Sequence, residues 1–225
     1  MIDADKMEDQ AIRLLESDKL RRAERVLQKM LALDRNSIAA HFHLARVYRR
    51  TEQYEIALHH AHRTLRLNPN EQNAHLNLGL IYDLMGKDKL AAFHYKKELS
   101  RNSGSAETLW NIGRLHFENH RWLEASKYLR RCYNAYFMFQ IEDTVHKLGF
   151  CYYKLRDLQS YIDVYTDYVR IAPEASWAYA NLGCALLRAK DYKHAVLRLK
   201  RAAELGIKKS IAVELARAKK MLRRQ

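Results

Sequence analysis

The side chains best equipped for chemistry in this sequence are eleven histidines and three cysteines. His59, His60 and His62 stand almost together, and His59 and His62, three apart, share one face of a helix. That is the beginning of a transition-metal site. A zinc site needs three or four such ligands, and no acidic residue or cysteine stands at a matching spacing, so no metal is expected. His41 and His75 fall one repeat apart and read as packing residues. Cys132, Cys151 and Cys184 form no CxxC or Cys/His pattern. Each lies where small apolar residues also fit, which predicts packed, reduced thiols in a reducing compartment. Gly206-Ile207-Lys208-Lys209-Ser210 sets a Lys and a Ser near a Gly but lacks the earlier glycine and the preceding strand of a phosphate loop. Neither GxSxG nor HExxH occurs. The reading is a chain with no catalytic residue, no cofactor and no small-molecule substrate.

What remains is the chemistry of charge and aromatic surface. The net charge is +14, and residues 176–225 hold 13 basic against 3 acidic side chains. An anionic partner would be drawn to that end. Arg198, Lys200, Arg201, Lys208, Lys209, Arg217, Lys219, Lys220, Arg223 and Arg224 are the residues that nucleic acid or an anionic membrane would meet. No aromatic residue interleaves with them, which argues against stacking on single-stranded bases. No apolar run approaches the roughly 18 residues of a membrane span. The opening Met1-Ile2-Asp3-Ala4-Asp5 is acidic and unlike a secretory signal. A cytoplasmic protein is expected.

The elements that position these side chains show in the breakers. The chain has seven glycines and two prolines. Gly79, Gly113, Gly149 and Gly183 recur at intervals of 34, 36 and 34 residues, and Pro69 and Pro173 lie 104 apart. A fixed period near 34 marks a repeat architecture. The units run 4–37, 38–71, 72–105, 106–141, 142–175 and 176–209, with a last helix over 210–225, all forming a single domain (1–225). Apolar residues at i, i+3, i+4 and i+7 give each half-unit one helical stripe. Glycine inside a helix costs up to about 1 kcal/mol against alanine, so the repeated glycines predict a close approach of two helices. Ala23, Ala57, Ala91, Ala125 and Ala195 are read as the facing contact. Gly86 is placed in a turn within a unit, Gly104 and Gly206 between units, and both prolines just past helix ends.

The units read His75-x2-Leu78-Gly79-x2-Tyr82 with Ala91-x3-Tyr95, and Val145-x2-Leu148-Gly149-x2-Tyr152 with Tyr161-x3-Tyr165 and Pro173. Tyr179-x2-Leu182-Gly183, His41-x2-Leu44-Ala45-x2-Tyr48 and Leu109-x2-Ile112-Gly113-x2-His116 follow in phase. This pattern resembles the tetratricopeptide repeat, over about 200 of the 225 residues. The resemblance implies an all-α, right-handed superhelical solenoid of helix–turn–helix repeats, with an inner helix A and an outer helix B per unit. Ser210 is the expected N-cap of a final capping helix that buries Ile211, Leu215, Ala218 and Leu222.

The resemblance also implies a protein-interaction scaffold or adaptor that binds a partner's peptide segment in its concave groove. Read onto the inner helices, the groove is lined by Phe42, Arg46, Arg49, Arg50, Asn77, Trp110, Asn111, Arg114, Lys147, Phe150 and Asn181. Asn77, Asn111 and Asn181 share the sixth helix place, where the family's asparagine commonly hydrogen-bonds a peptide backbone. The pattern of Lys and Asn that holds chaperone C-terminal tails is matched only at the central Asn. Arginines suit carboxylates and aromatics suit apolar anchors, so the expected partner is an acidic protein segment with apolar anchors. Self-association to a homo-oligomer, through the atypical first unit or the aromatic insertion at 135–141, is a further expectation. Tyr161 and Tyr168 break the small-residue pattern of the fifth unit and are read as space-filling.

Overall fold

The computed structural model describes residues 4–135 and 140–224. Tyr136, Phe137, Met138 and Phe139, at the heart of the aromatic insertion, lie outside the described residues. Every described element is helical: α1 (Ala4–Glu16), α2 (Leu20–Leu33), α3 (Ile38–Arg50), α4 (Tyr54–Leu67), α5 (Ala74–Leu84), α6 (Asp88–Arg101) and α7 (Ala106–Glu118). They continue with α8 (Trp122–Asn134), α9 (Ile141–Leu155), α10 (Leu158–Ile171), α11 (Ser176–Arg188), α12 (Tyr192–Ala202) and α13 (Ala212–Leu222). The helices gather into two compact units, divided between Asn111 and Ile112 within α7.

Each A helix hands over to its B helix through the same turn. Asp18, Glu52, Gly86, His120, Arg156 and Lys190 all have positive φ, between 56° and 68°. The next residue's N–H closes each helix on a carbonyl five residues back, as in Lys19 to Leu14, Lys87 to Tyr82 and Asp191 to Leu186, at 2.8–2.9 Å. This left-handed closure satisfies carbonyls that the helix end leaves unpaired. Only Gly86 adopts it without a Cβ penalty. Asp157 and Asp191 then cap α10 and α12, accepting from Ser160 N and His194 N.

The glycine grid has a steric cause. A Cβ at Gly79 would meet the Tyr95 ring at 2.5 Å, and one at Gly113 would meet Leu129 Cγ at 2.8 Å. Gly149 faces Tyr165 (Cε2 at 2.8 Å) and Gly183 faces Leu199 (Cγ at 2.6 Å). The facing residue is therefore a large one, sixteen positions on, rather than the alanines four residues earlier. Those alanines are buried too, but the space above each glycine belongs to a ring or an isobutyl group. In α3 the glycine place holds Ala45, and sixteen residues on stands Ala61, both buried. The larger residue on one helix coincides with the smaller on the other, as volume-conserving packing requires.

Polar contacts repeat with the same period. Tyr48 Oη donates to Glu24 Oε1 at 2.8 Å, His62 Nε2 meets Tyr82 Oη at 3.2 Å, and Arg130 Nε donates to Tyr152 Oη at 3.1 Å. Each joins a B helix to the next A helix. His41 and His75 do pack, and each has a histidine partner: His41 Nδ1 lies 2.8 Å from His60 Nδ1, and His75 Nδ1 lies 3.0 Å from His94 Nδ1. Tyr48 stacks on His60 and Tyr82 on His94, while in the following unit the types are exchanged, His116 on Tyr128. Helix α5 starts from Asn73 with no side-chain cap of its own. Its Leu76 N–H is met instead by Glu98 Oε2 of α6 at 3.3 Å, a carboxylate only 2% exposed.

The C-terminal end differs from the sequence expectation in two details. Ser210 does not cap α13: its hydroxyl donates to Ile207 O at 3.1 Å, and Ile211 occupies the cap position. A π-helical turn over Ala203–Ile207, interrupted by Gly206 at φ 115°, draws the serine back against the preceding turn. Ile211 and Ala218 are buried as expected, whereas Leu222 remains 36% exposed.

Candidate functional site

The eleven groove positions divide between the two units. Phe42, Arg46, Arg49, Arg50, Asn77, Trp110 and Asn111 belong to the first, and Arg114, Lys147, Phe150 and Asn181 to the second.

In the first unit, α3 presents Phe42, Arg46, Arg49 and Arg50 from successive turns. Arg50 is spent on structure: its guanidinium donates to Leu15 O at 2.6 Å and pairs with Asp18 at 2.6 Å. Arg46 lies 6.0 Å from the Phe42 ring and 3.3 Å from His43 Nδ1. Burial, then the charge of Arg46, lowers the His43 pKa to about 4, so this imidazole is neutral beside the arginine. Burial also lowers the pKa of Arg46 and of Arg49, and each feels the other cations of the row and the carboxylate of Glu107. Arg46 also feels Glu16, so the two partly desolvated guanidiniums share Glu107 and Glu16, and neither forms an ion pair with them. Arg49 Nε is buried with no hydrogen-bond partner.

The three asparagines share a repeat position but not a state. Asn111 donates to Glu107 O at 2.8 Å within its own helix. Asn181 Oδ1 accepts from the Tyr161 hydroxyl at 3.2 Å. Asn77 is 4% exposed, and neither its Nδ2 nor its Oδ1 has a partner. A buried polar group left unpaired costs about 1–3 kcal/mol, and here both ends of one amide are unpaired. Trp110 is half-buried.

In the second unit the cations of α7 and α9 are largely neutralised. Arg114 pairs with Glu118 at 2.6 Å, and Lys147 pairs with Asp143. Aromatic rings dominate: Phe117, Trp122 and Phe150 contact one another edge-on at 5.4 Å, with Phe150 40% exposed. Lys147 sits 5.7 Å from Phe117, Lys154 5.2 Å from Phe150, and Arg188 5.5 Å from Tyr153. Tyr168 fills space as expected, buried against Trp177.

At the C-terminal end Lys208, Lys209, Arg217, Lys219, Lys220, Arg223 and Arg224 are all exposed. Arg201 is engaged with Glu174 and Glu204. Cys132 and Cys151 are buried, Cys184 is half-buried, and all three are free thiols. Burial raises the Cys151 pKa to about 12, so it is no nucleophile. Among the described residues no cluster of three or more histidine, cysteine or acidic side chains could hold a metal ion. No described helix is long and apolar enough to cross a membrane.

No protein-family model matches the sequence, and no curated protein matches it. Solved structures do match. The C-terminal part of a TPR repeat-containing protein from Cytophaga hutchinsonii superposes with a TM-score of 0.71 at 18% identity, covering 96% of this chain and 83% of that one. The pilF protein of Pseudomonas aeruginosa gives 0.70 at 15% identity, covering 99% and 97%. A chain of the APC/C hetero-tetramer Cut9–Hcn1 gives 0.62 at 18% identity, with 96% of this chain matching 42% of that one. At these identities the likeness is one of fold.

Proposed function

Because this chain has the tetratricopeptide-repeat fold, we propose that it is a noncatalytic interaction scaffold that captures an extended, acidic segment of a partner protein on the A-helix face of its first unit. The carrying observation is Asn77, whose buried amide keeps both a donor and an acceptor unpaired. A peptide backbone offers the complementary pair, one C=O and one N–H per residue. Arg46 and Arg49 supply the charge that selects carboxylates, in the bidentate manner of guanidinium. Arg50 and Asn111, already engaged within the chain, contribute to the shape of the face rather than to its contacts. The Cut9–Hcn1 neighbour was crystallised as a complex of two different proteins, which accords with a scaffold role. Three free thiols suit a reducing compartment such as the cytoplasm.

The test is a peptide array of extended segments, probed with the full chain. Wild type should favour acidic segments. Asn77→Ala should weaken the best of them about tenfold, the equivalent of 1.4 kcal/mol. Arg49→Ala should erase the preference for acidic over neutral peptides. Unchanged binding in both variants, with unchanged helical circular dichroism, defeats the reading.

The exposed cations of α13 and the segment before it favour a second reading, in which this end engages nucleic acid or an anionic membrane. Duplex binding whose affinity drops steeply between 50 and 200 mM salt, and which disappears on deleting 210–225, is the expected signature. Salt-independent binding, or binding that survives the deletion, is the contrary result.

A further inference from the structure

A cavity of about 220 Å³ opens in the second unit where α9, α10 and α11 meet. Its walls are Tyr152, Tyr153, Leu158, Tyr161 and Ala185, and its rim carries Arg156, Asp157 and Arg188. The repeat explains why it is there. Two places after the glycine position, α3, α5, α7 and α9 bury Val47, Ile81, Leu115 and Cys151, whereas α11 has Ala185. On α10 the alanine place of the other units is taken by Tyr161, whose hydroxyl is drawn to Asn181 Oδ1. Small for large on one helix and large for small on the next leave a space between rings that the chain does not fill.

The rim sets the charge of what enters. Asp157 accepts from Ser160 N as the cap of α10. Lys154, Arg156 and Arg188 are exposed and have no acidic partner among the described residues. Tyr153, 52% exposed, lies 5.5 Å beneath the Arg188 guanidinium. The volume is below the about 300–1,000 Å³ of drug-sized ligand sites, and it suits one side chain. Three tyrosines favour an aromatic one, through edge and offset ring contacts.

We propose that this cavity is an anchor site for a single aromatic side chain of a partner segment, held with carboxylates on either side of it by Arg156 and Arg188. The site belongs to the second unit and the Asn77 face to the first, and the proposal does not depend on that face. An acidic segment with a central aromatic residue is then recognised by one pocket and two cations, the anchor-in-pocket arrangement that concentrates binding energy.

The experiment titrates the ¹⁵N-labelled full chain with the blocked peptide acetyl-Ser-Asp-Phe-Asp-Ser-amide. Saturable shifts are expected at amides of 152–161 and 185–188, and the Phe-to-Ala or Asp-to-Asn peptide should bind at least tenfold more weakly. Arg188→Glu, an exposed change, should weaken binding at least tenfold. Ala185→Leu, which restores the residue type of Leu115, should fill the cavity and abolish those shifts with the helical signal intact. Asn77→Ala should leave them untouched, so failure here is distinguishable from failure of the Asn77 face. Absence of saturable shifts in wild type, equal binding of the altered peptides, or an Ala185→Leu chain that binds like wild type overturns the proposal.

Discussion

Gly79→Ala should destabilise the first unit by about 1–3 kcal/mol, the usual cost of overpacking a filled core. Helix propensity alone predicts the opposite sign, a gain of about 1 kcal/mol. Sterics win because the added methyl would lie 2.5 Å from Cδ1 and Cε1 of Tyr95. That ring is fully buried, and its hydroxyl is held by Asp83 Oδ2 at 3.0 Å. It cannot swing aside as the end of an exposed side chain would. Urea denaturation of Gly79→Ala, Tyr95→Ala and the double variant tests the cause as well as the sign. The glycine substitution should cost markedly less in the Tyr95→Ala background, giving a coupling energy of 0.5 kcal/mol or more. Additive costs, or a stabilised single variant, show that the glycine is kept for some other reason.

This contact also shows what the sequence could and could not reveal. Four glycines at one helix position are legible because glycine there has a cost and needs a cause. The partner was not legible: the alanines on the B helices look like the complement of a glycine, whereas the space is occupied by Tyr95, Leu129, Tyr165 and Leu199. The six left-handed turns are as regular as the glycines, yet only Gly86 advertises one. Asp18, Glu52, His120, Arg156 and Lys190 accept a conformational cost of about 1 kcal/mol each in exposed turns, and nothing in their side chains signals it. At the candidate site, residue type and register selected Asn77, Asn111 and Asn181 equally. What separates them is who else is within reach: Glu107 O for one, the Tyr161 hydroxyl for another, no one for Asn77. The same holds for Arg50, whose partners Leu15 and Asp18 are more than thirty residues away in sequence.

Acidification should loosen the first unit well before carboxylates titrate. His60 and His94 have pKa values lowered to about 4, burial being the main cause and the neighbouring histidines adding to it. His41 is lowered by burial and by Arg63 and His59, against the Arg35 carbonyl and Asp34, which raise it. His75 is lowered by burial, Arg101 and Lys97, and His62 by burial and Arg66. A histidine whose folded pKa lies below its unfolded value of about 6.5 contributes stability that is full above pH 6.5 and is lost as pH falls. In that window the unfolded chain binds the proton and the folded one does not. For His60 and His94 the loss runs from about pH 6.5 down to about 4 and amounts to roughly 2 kcal/mol each at pH 5. The geometry gives the same sign: each Nδ1–Nδ1 bond needs one ring to accept, and two imidazoliums have only donors. Hydrogen exchange at pH 7 and pH 5, corrected for intrinsic rates, should show protection of α3 to α6 falling far more than that of α9 to α12. Tyrosine already stands at the equivalent place in α8, where Tyr128 stacks on His116. A His60→Tyr, His94→Tyr chain should therefore fold and lose a large part of this pH dependence, with the remainder carried chiefly by His43, whose pKa burial also lowers to about 4. If it keeps the same pH profile as wild type, the paired histidines are not the titrating groups.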